Sequence, residues 1–300
     1  MNKSFPIFTV GAIVFVALYY FFSDGEESVQ ETIVEENIKS PIVSSSSVGL
    51  IDDERIIKAE SEPGNWIAHG RTYEEKRFSP LTKINKESVS NLGLTWYKDM
   101  GTNRALEATP IVVDGIMFFT STWSRVYAVE AKTGETLWSF DPEVPGEWAR
   151  KACCDIVNRG VAVYHGKVIF ASLDGRLFSL NAETGEKIWE VDTVIDRTRA
   201  YTITGAPRVA KGKVYIGNGG AEYGVRGYVT AYDTETGEQV WRFFTVPGDP
   251  SLGFEDPAME MAAKTWKGTN WWEFGGGGTV WNSIVYDPDF NNVYLGVCNG

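Results

Sequence analysis

Histidine, cysteine and cationic side chains are scarce in this chain. Its 300 residues include 2 His, His69 and His165, so a histidine-based metal site or a Ser-His-Asp triad is hard to staff. Three Cys cannot build a disulfide scaffold. Lys and Arg number 28 against 40 Asp and Glu, a formal charge of −12. The basic face required of a nucleic-acid binder is therefore not expected, and no nucleic-acid partner is assigned. Long helical patterns are few. What is present points to a folded, sheet-rich chain. Hydrophobic residues reach 43%, which excludes wholesale disorder, and the 16 Phe, 13 Tyr, 11 Trp and 31 Gly lean toward an all-β class.

Residues 5–22 form one apolar run, just long enough for a helix to cross a bilayer. Lys3 precedes it, and Asp24, Glu26 and Glu27 follow, which favours a cytoplasmic N-terminus and an exported remainder. The run ends in Tyr19, Tyr20, Phe21, Phe22 and Ser23, a poor match to a small-residue cleavage site. Residues 1–22 are therefore read as a signal anchor in preference to a cleaved signal peptide. Residues 23–62 carry 11 acidic and 3 basic side chains and a serine run at 44–47. That composition predicts a disordered tether.

Beyond it the chain repeats. Trp138, Trp189 and Trp241 each close a segment that begins with a small residue (Ala128, Ser179, Ala231) and passes through Thr-Gly-Glu. Alternating apolar runs flank each copy. Period-two alternation with glycine-marked turns predicts short antiparallel strands, and a recurrence of about 50 residues predicts four-stranded β-propeller blades. Thr-Gly-Glu is then a turn, and the Trp a residue that docks one blade on another. About four blades fit between Trp66 and Gly300, the last one incomplete. The expected division is a propeller over 63–300.

Three segments carry chemistry. The first is Cys153-Cys154 within Ala-Cys-Cys-Asp-Ile-Val-Asn-Arg-Gly. Adjacent cysteines in an exported protein are expected to oxidise together, into a strained vicinal disulfide. The second surrounds Glu222, a hard oxygen ligand in a glycine-rich stretch suited to calcium. The third is the glycine run 275–278 leading to Thr279 and Trp281; with no Lys after it, a phosphate loop is not expected. Met259, Met261 and Trp266 fall in an insertion read as a loop or short helix. His69 and His165 are expected to be solvated or satisfied, and Cys298 to be a small buried apolar residue.

From about Trp66 to Gly300 the sequence resembles the N-terminal half of the pyrroloquinoline quinone (PQQ)-dependent alcohol dehydrogenases of the methanol/ethanol dehydrogenase family. The match is carried by Arg-Phe-Ser-Pro-Leu-Thr-Lys-Ile-Asn at 77–85, the segments at 107–118 and 203–209, the Cys-Cys segment, the Glu222 stretch and the glycine run. The resemblance implies an eight-bladed propeller with the quinone on its axis, and a periplasmic location. It implies that Cys153 and Cys154 lie on one quinone face and Trp281 on the other. Arg159 would meet an anionic group, and Glu107, Thr204, Thr279, Gly220 and Ala221 would hydrogen-bond the rim. Glu222 and Asn299 would ligate Ca2+, or a lanthanide. The implied reaction is oxidation of a primary alcohol to an aldehyde, with electrons passing to cytochrome c or a membrane quinone. A PQQ-dependent sugar or polyol dehydrogenase shares the repeats, as does a cofactor-free scaffold of the outer-membrane assembly type; the adjacent cysteines favour the alcohol branch. The family's catalytic Asp is expected some tens of residues past Asn299, hence beyond Gly300. The 300 residues are therefore expected to be incomplete and inactive alone.

Overall fold

The structure is a computed structural model that describes residues 48–268 and 270–298. Three four-stranded antiparallel sheets follow one another along it, each a simple meander in chain order. The first comprises β1 (Ile111–Val113), β2 (Ile116–Thr120), β3 (Val126–Glu130) and β4 (Thr136–Phe140). The second comprises β5 (Ala162–Tyr164), β6 (Lys167–Ala171), β7 (Arg176–Asn181) and β8 (Lys187–Asp192). The third comprises β9 (Arg208–Ala210), β10 (Lys213–Gly217), β11 (Tyr228–Asp233) and β12 (Gln239–Phe244). A fourth sheet holds β13 (Ile284–Asp287) and β14 (Asn292–Leu295). β5 packs on β9, and β9 on β13, so the first strands meet at a common hub. β5 and β9 are buried throughout, whereas the fourth strands β8 and β12 are largely exposed. Sheets that run from a buried hub strand to an exposed rim strand are propeller blades.

The repeat has a packing cause. Ala128, Ser179 and Ala231 lie directly across from Trp138, Trp189 and Trp241, so a small residue makes room for the indole. The register slips at the same place in all three blades, a bulge that tightens the following turn. In that turn Asn181 Oδ1 accepts the Glu183 and Thr184 N–H groups, and Asp233 Oδ1 accepts those of Glu235 and Thr236. Trp138 and Trp189 then cross to the next blade, whereas Trp241 is 37% exposed and its indole N–H makes no such bond among the described residues. Trp138 Nε1 donates to the Ala182 carbonyl at 3.0 Å and its ring lies over Gly185; Trp189 Nε1 donates to Thr234 at 3.1 Å and lies over Gly237. Trp96 does the same for the first blade, donating to Ala131 at 3.1 Å above Gly134. No Thr-Gly-Glu turn precedes Trp96, so the repeat pattern does not reveal it.

The expected tether must be shortened. The apolar run 5–22 and residues 23–47 lie outside the described residues, but the chain from Val48 onward is folded. Helix α1 (Asp53–Ile57) is capped by Asp52, whose side chain accepts the Arg55 N–H. Ile51 and Ile56 are fully buried in the propeller core. Two isoleucines among charged neighbours supply the apolar anchorage that bulk composition hides. No helix among the described residues is long and apolar enough to cross a membrane.

Asp53 fastens α1 to two blades. Its carboxylate accepts Tyr73 Oη at 2.6 Å, the Lys211 N–H at 2.8 Å and Tyr164 Oη at 2.8 Å. Burial works to raise its pKa, but these donors outweigh burial and hold it below the ordinary value. Asp53→Ala should cost about 2 kcal/mol and lower the melting midpoint by about 4–8 °C. A depressed carboxylate stabilises above its unfolded pKa, about 3.9, and loses that contribution as pH falls through the folded value. The gap between Asp53→Ala and the parent in urea midpoints should therefore shrink from pH 7 to pH 3. An equal gap at both pH values would refute the ionised staple.

Candidate functional site

The meander decides where the singled-out residues gather. Glu107 lies just before β1, Arg159 just before β5, Thr204 just before β9, and Thr279 and Trp281 just before β13. They thus sit at the same end of successive hub strands. In an antiparallel sheet the far end of the second strand returns to that end. Gly219, Gly220 and Glu222 follow β10 there, and Cys298 follows β14. The connection from β4 to β5 adds Cys153 and Cys154.

A cleft of about 200 Å3 joins Cys153, Cys154, Arg159, Thr204, Gly220, Glu222, Thr279 and Trp281. Thr202, Gly219 and Cys298 line it as well. Ala221 opens the turn that carries Glu222 but does not line the cleft, and Glu107 reaches it through Arg159. Asn299 lies outside the described residues. Thr202 could have been found from Thr204, since residues two apart on an extended segment share a face. The Gly219 N–H donates to the Thr202 carbonyl at 2.7 Å.

Arg159 organises the cleft. Its Nη2 lies 2.7 Å from Glu107 Oε2, its Nη1 donates to Thr204 Oγ1 at 2.6 Å, and the guanidinium stands 4.8 Å from the centre of the Trp281 ring. Its backbone is fixed on both sides: the Thr109 N–H donates to the Arg159 carbonyl, and the Arg159 N–H to the Thr204 carbonyl. Three blades therefore hold one side chain.

Cys153 and Cys154 are joined in a vicinal disulfide, and both are exposed. Their loop is anchored from behind by a small apolar cluster of Trp148, Ile156 and Leu173. Asp155 turns the chain directly after the pair with φ 71°, and its Oδ1 accepts Arg104 Nη1 at 3.1 Å. On the far wall the glycines at 275–278 all have positive φ, between 66° and 86°. Four successive left-handed residues make a path that side chains would strain. It ends at Thr279, which is 1% exposed, and Trp281, which is 40% exposed.

Glu222 is exposed, and no hydrogen bond or ion pair among the described residues engages its carboxylate. No group of three or more His, Cys, Asp or Glu among those residues could hold a metal. Metal binding here would need Glu222 together with groups that are not in such a cluster. Cys298 is half-buried in the cleft wall, and its N–H donates to the Thr279 carbonyl at 3.0 Å. His69 takes no part. It is buried, not solvated, and Arg77 Nη2 lies 3.1 Å from its Nε2. Burial first, then Arg208 and Arg77, push its pKa down to about 3, so it is neutral. The insertion contains helix α2 (Pro257–Ala263), with Met259 buried and Met261 exposed.

The fold and the cleft define a propeller whose hub carries a cleft lined by an indole, a disulfide and polar side chains. Residues 66–300 match the PQQ family described as the glucose/ethanol/alcohol dehydrogenase β-propeller domain, and the chain belongs to that family. It is 55% identical over 261 residues to the quinohemoprotein alcohol dehydrogenase ADH-IIG of Pseudomonas putida, covering 87% of this chain and 36% of that protein. The solved structure of that enzyme superposes with a TM-score of 0.81 at 57% identity, over 83% of this chain and 36% of the other. The 1-butanol dehydrogenase (cytochrome c) of Thauera butanivorans is 55% identical over 203 residues, 68% of this chain and 29% of that one. A europium-containing methanol dehydrogenase superposes with a TM-score of 0.74 at 37% identity, over 82% of this chain and 44% of its own. The chain spans about a third of the length of the curated relatives it matches.

Proposed function

We propose that this chain supplies the quinone- and metal-binding part of a PQQ-dependent dehydrogenase that oxidises primary alcohols to aldehydes. The observation that carries the proposal is the convergence of the vicinal disulfide, Arg159 and Trp281 on one cleft. The donor set fits a flat, polyanionic heteroaromatic. Arg159 presents a guanidinium fork, Thr204 and Thr279 present hydroxyls, and the Trp281 indole offers a stacking surface in the same cleft.

In this reading the disulfide and the Trp281 indole would hold the ring and exclude water from it. Arg159 neutralises an anionic group while Glu107 keeps the guanidinium oriented. Thr204, Thr279 and the backbone at Gly220 would hydrogen-bond the rim of the ring; Ala221 would act only through the turn it opens. Glu222 and Asn299 would hold Ca2+ or a lanthanide, since hard oxygen ligands suit both. The chemistry supplied by the bound group is acceptance of two electrons from the alcohol carbon, with the metal as Lewis acid. The only carboxylate lining the described cleft is Glu222, so no proton acceptor is assigned within it.

Electrons would pass on to cytochrome c or a membrane quinone. The names of relatives that are quinohemoproteins or cytochrome c-linked support such a carrier. An oxidised cysteine pair suits an exported protein, and we place the chain in the periplasm, tethered to the inner membrane through residues 5–22.

The test is a PQQ titration of the purified chain with Ca2+ present, read by quenching of indole fluorescence. Saturable quenching that Trp281→Ala or the double Cys153→Ser, Cys154→Ser variant weakens at least tenfold is the expected result. Equal binding by the parent and those variants, or none by the parent, would overturn the proposal.

A further inference from the structure

The metal carboxylate of the proposed site stands on a short turn, and something must hold that turn in place. The 310 turn Ala221–Tyr223 presents Glu222 to solvent between two left-handed glycines, Gly220 at φ 103° and Gly224 at φ 77°. A turn with a flexible residue at each end does not by itself fix a carboxylate. Its first end is tied: the Gly219 N–H donates to Thr202, and a side chain at Gly220 would collide with the Ala200 carbonyl. Beyond its second end the Gly277 N–H donates to the Val225 carbonyl at 3.0 Å and the Gly227 N–H to the Gly277 carbonyl at 2.7 Å, and the end itself, at Gly224, is tied by a side chain from the same β8–β9 connection, Arg199. Arg199 Nη1 donates to the Gly224 carbonyl at 2.5 Å, and Nη2 donates to the Glu273 carbonyl at 3.0 Å. Nε faces Asp196 at 3.4 Å, which orients the fork from behind.

Glu273 belongs to the 310 turn Trp271–Phe274, immediately before the glycine run that ends at Thr279 and Trp281. Arg199 therefore bridges two walls of the cleft, the one bearing Glu222 and the one bearing Trp281. A planar guanidinium can serve two carbonyls in fixed directions; a lysine ammonium on a shorter, unforked head cannot keep both.

We infer that Arg199 is a positioning residue for the metal half of the site: it fixes the Glu222 turn against the 271–274 turn without touching metal or quinone. The inference rests on the reading of Glu222 as a metal ligand. Groups that orient a ligand from outside the coordination shell typically change metal affinity by about 10–100-fold when removed.

The experiment is a calorimetric titration of Ca2+, and separately La3+, into the quinone-saturated chain and its variants, with PQQ affinity measured in parallel. Arg199→Gln should weaken metal binding about tenfold or more, while PQQ affinity without metal changes less than threefold. Arg199→Lys should recover part of the loss. Arg197→Gln, on the same connection but directed to Asp192 and the Asp174 carbonyl, should leave metal binding unchanged. Metal affinity in Arg199→Gln equal to that of the parent, with Glu222→Gln defective, would overturn the role of Arg199 and leave that of Glu222 standing. Parent-like metal binding by Glu222→Gln would overturn the site reading, and the inference with it. Equal loss of metal and PQQ affinity in Arg199→Gln would mean general collapse of the cleft and would also overturn it. A melting scan identifies any variant that does not fold, and Arg199→Lys then decides.

Discussion

Arg159→Ala should weaken PQQ binding by about 100-fold. The side chain is only 17% exposed and is shared by Glu107, Thr204 and Trp281. Its removal leaves Glu107 as an uncompensated negative charge beside a slot meant for an anion. Glu107 is 36% exposed, so water screens part of that charge, and the loss falls toward the low end of the about 2–5 kcal/mol found when one partner of a buried pair is truncated. Arg159→Lys restores charge but not the fork, so it should fall between the two. Glu107→Gln in the Arg159→Ala background should recover affinity, because the repelling charge is gone. Fluorescence titration of the parent, Arg159→Ala, Glu107→Gln and the double variant completes the cycle. Affinity unchanged in Arg159→Ala would remove Arg159 from the binding machinery.

The second large effect is expected at a residue with no side chain. A Cβ on Gly205 would lie 2.3 Å from the Trp281 carbonyl oxygen and 3.2 Å from its carbonyl carbon. Both are backbone atoms and cannot rotate away. Trp281 must move, and with it the indole that faces Arg159. Overpacking of this kind costs about 1–3 kcal/mol, which for a chain this size is a fall of roughly 2–12 °C in melting midpoint. PQQ affinity should drop by about 100-fold as well, since a displacement of about 1 Å in a positioned group has effects of that order. Gly146→Ala, where a Cβ meets nothing within 4 Å, is the control. Parent-like stability and affinity in Gly205→Ala would mean that the two segments are not in the tight contact described.

The blades were legible in the sequence because one physical motif recurs in linear order. A small residue, an Asx turn and a Trp lie within a dozen residues, and each part has a local cause. The disulfide loop, Arg159, Glu222 and Trp281 were legible through resemblance, since nothing in their spacing says that they share a cleft. The meander supplies that, by returning each of them to the same end of the hub. Trp96 was hidden because it follows no turn of its own blade. The segment 48–62 was hidden because average acidity masks Ile51 and Ile56. Arg199 was hidden because its partners are carbonyl groups, and a carbonyl has no residue type to read. Gly219 was hidden for the same reason.

The Trp-to-turn contacts also bear on the order in which the molecule is assembled. Trp96, Trp138 and Trp189 reach carbonyls 35, 44 and 45 residues further along the chain, always forward. Each blade is thus completed by the one synthesised after it, and the loop to be closed hardly lengthens as blades are added. Closure entropy grows only with the logarithm of that length, so every blade joins at nearly the same cost. The α1 staple follows the opposite rule. Asp53 must wait for Lys211, 158 residues away. This segment precedes every blade, yet its last tie forms only once the β9–β10 turn of the third sheet is made.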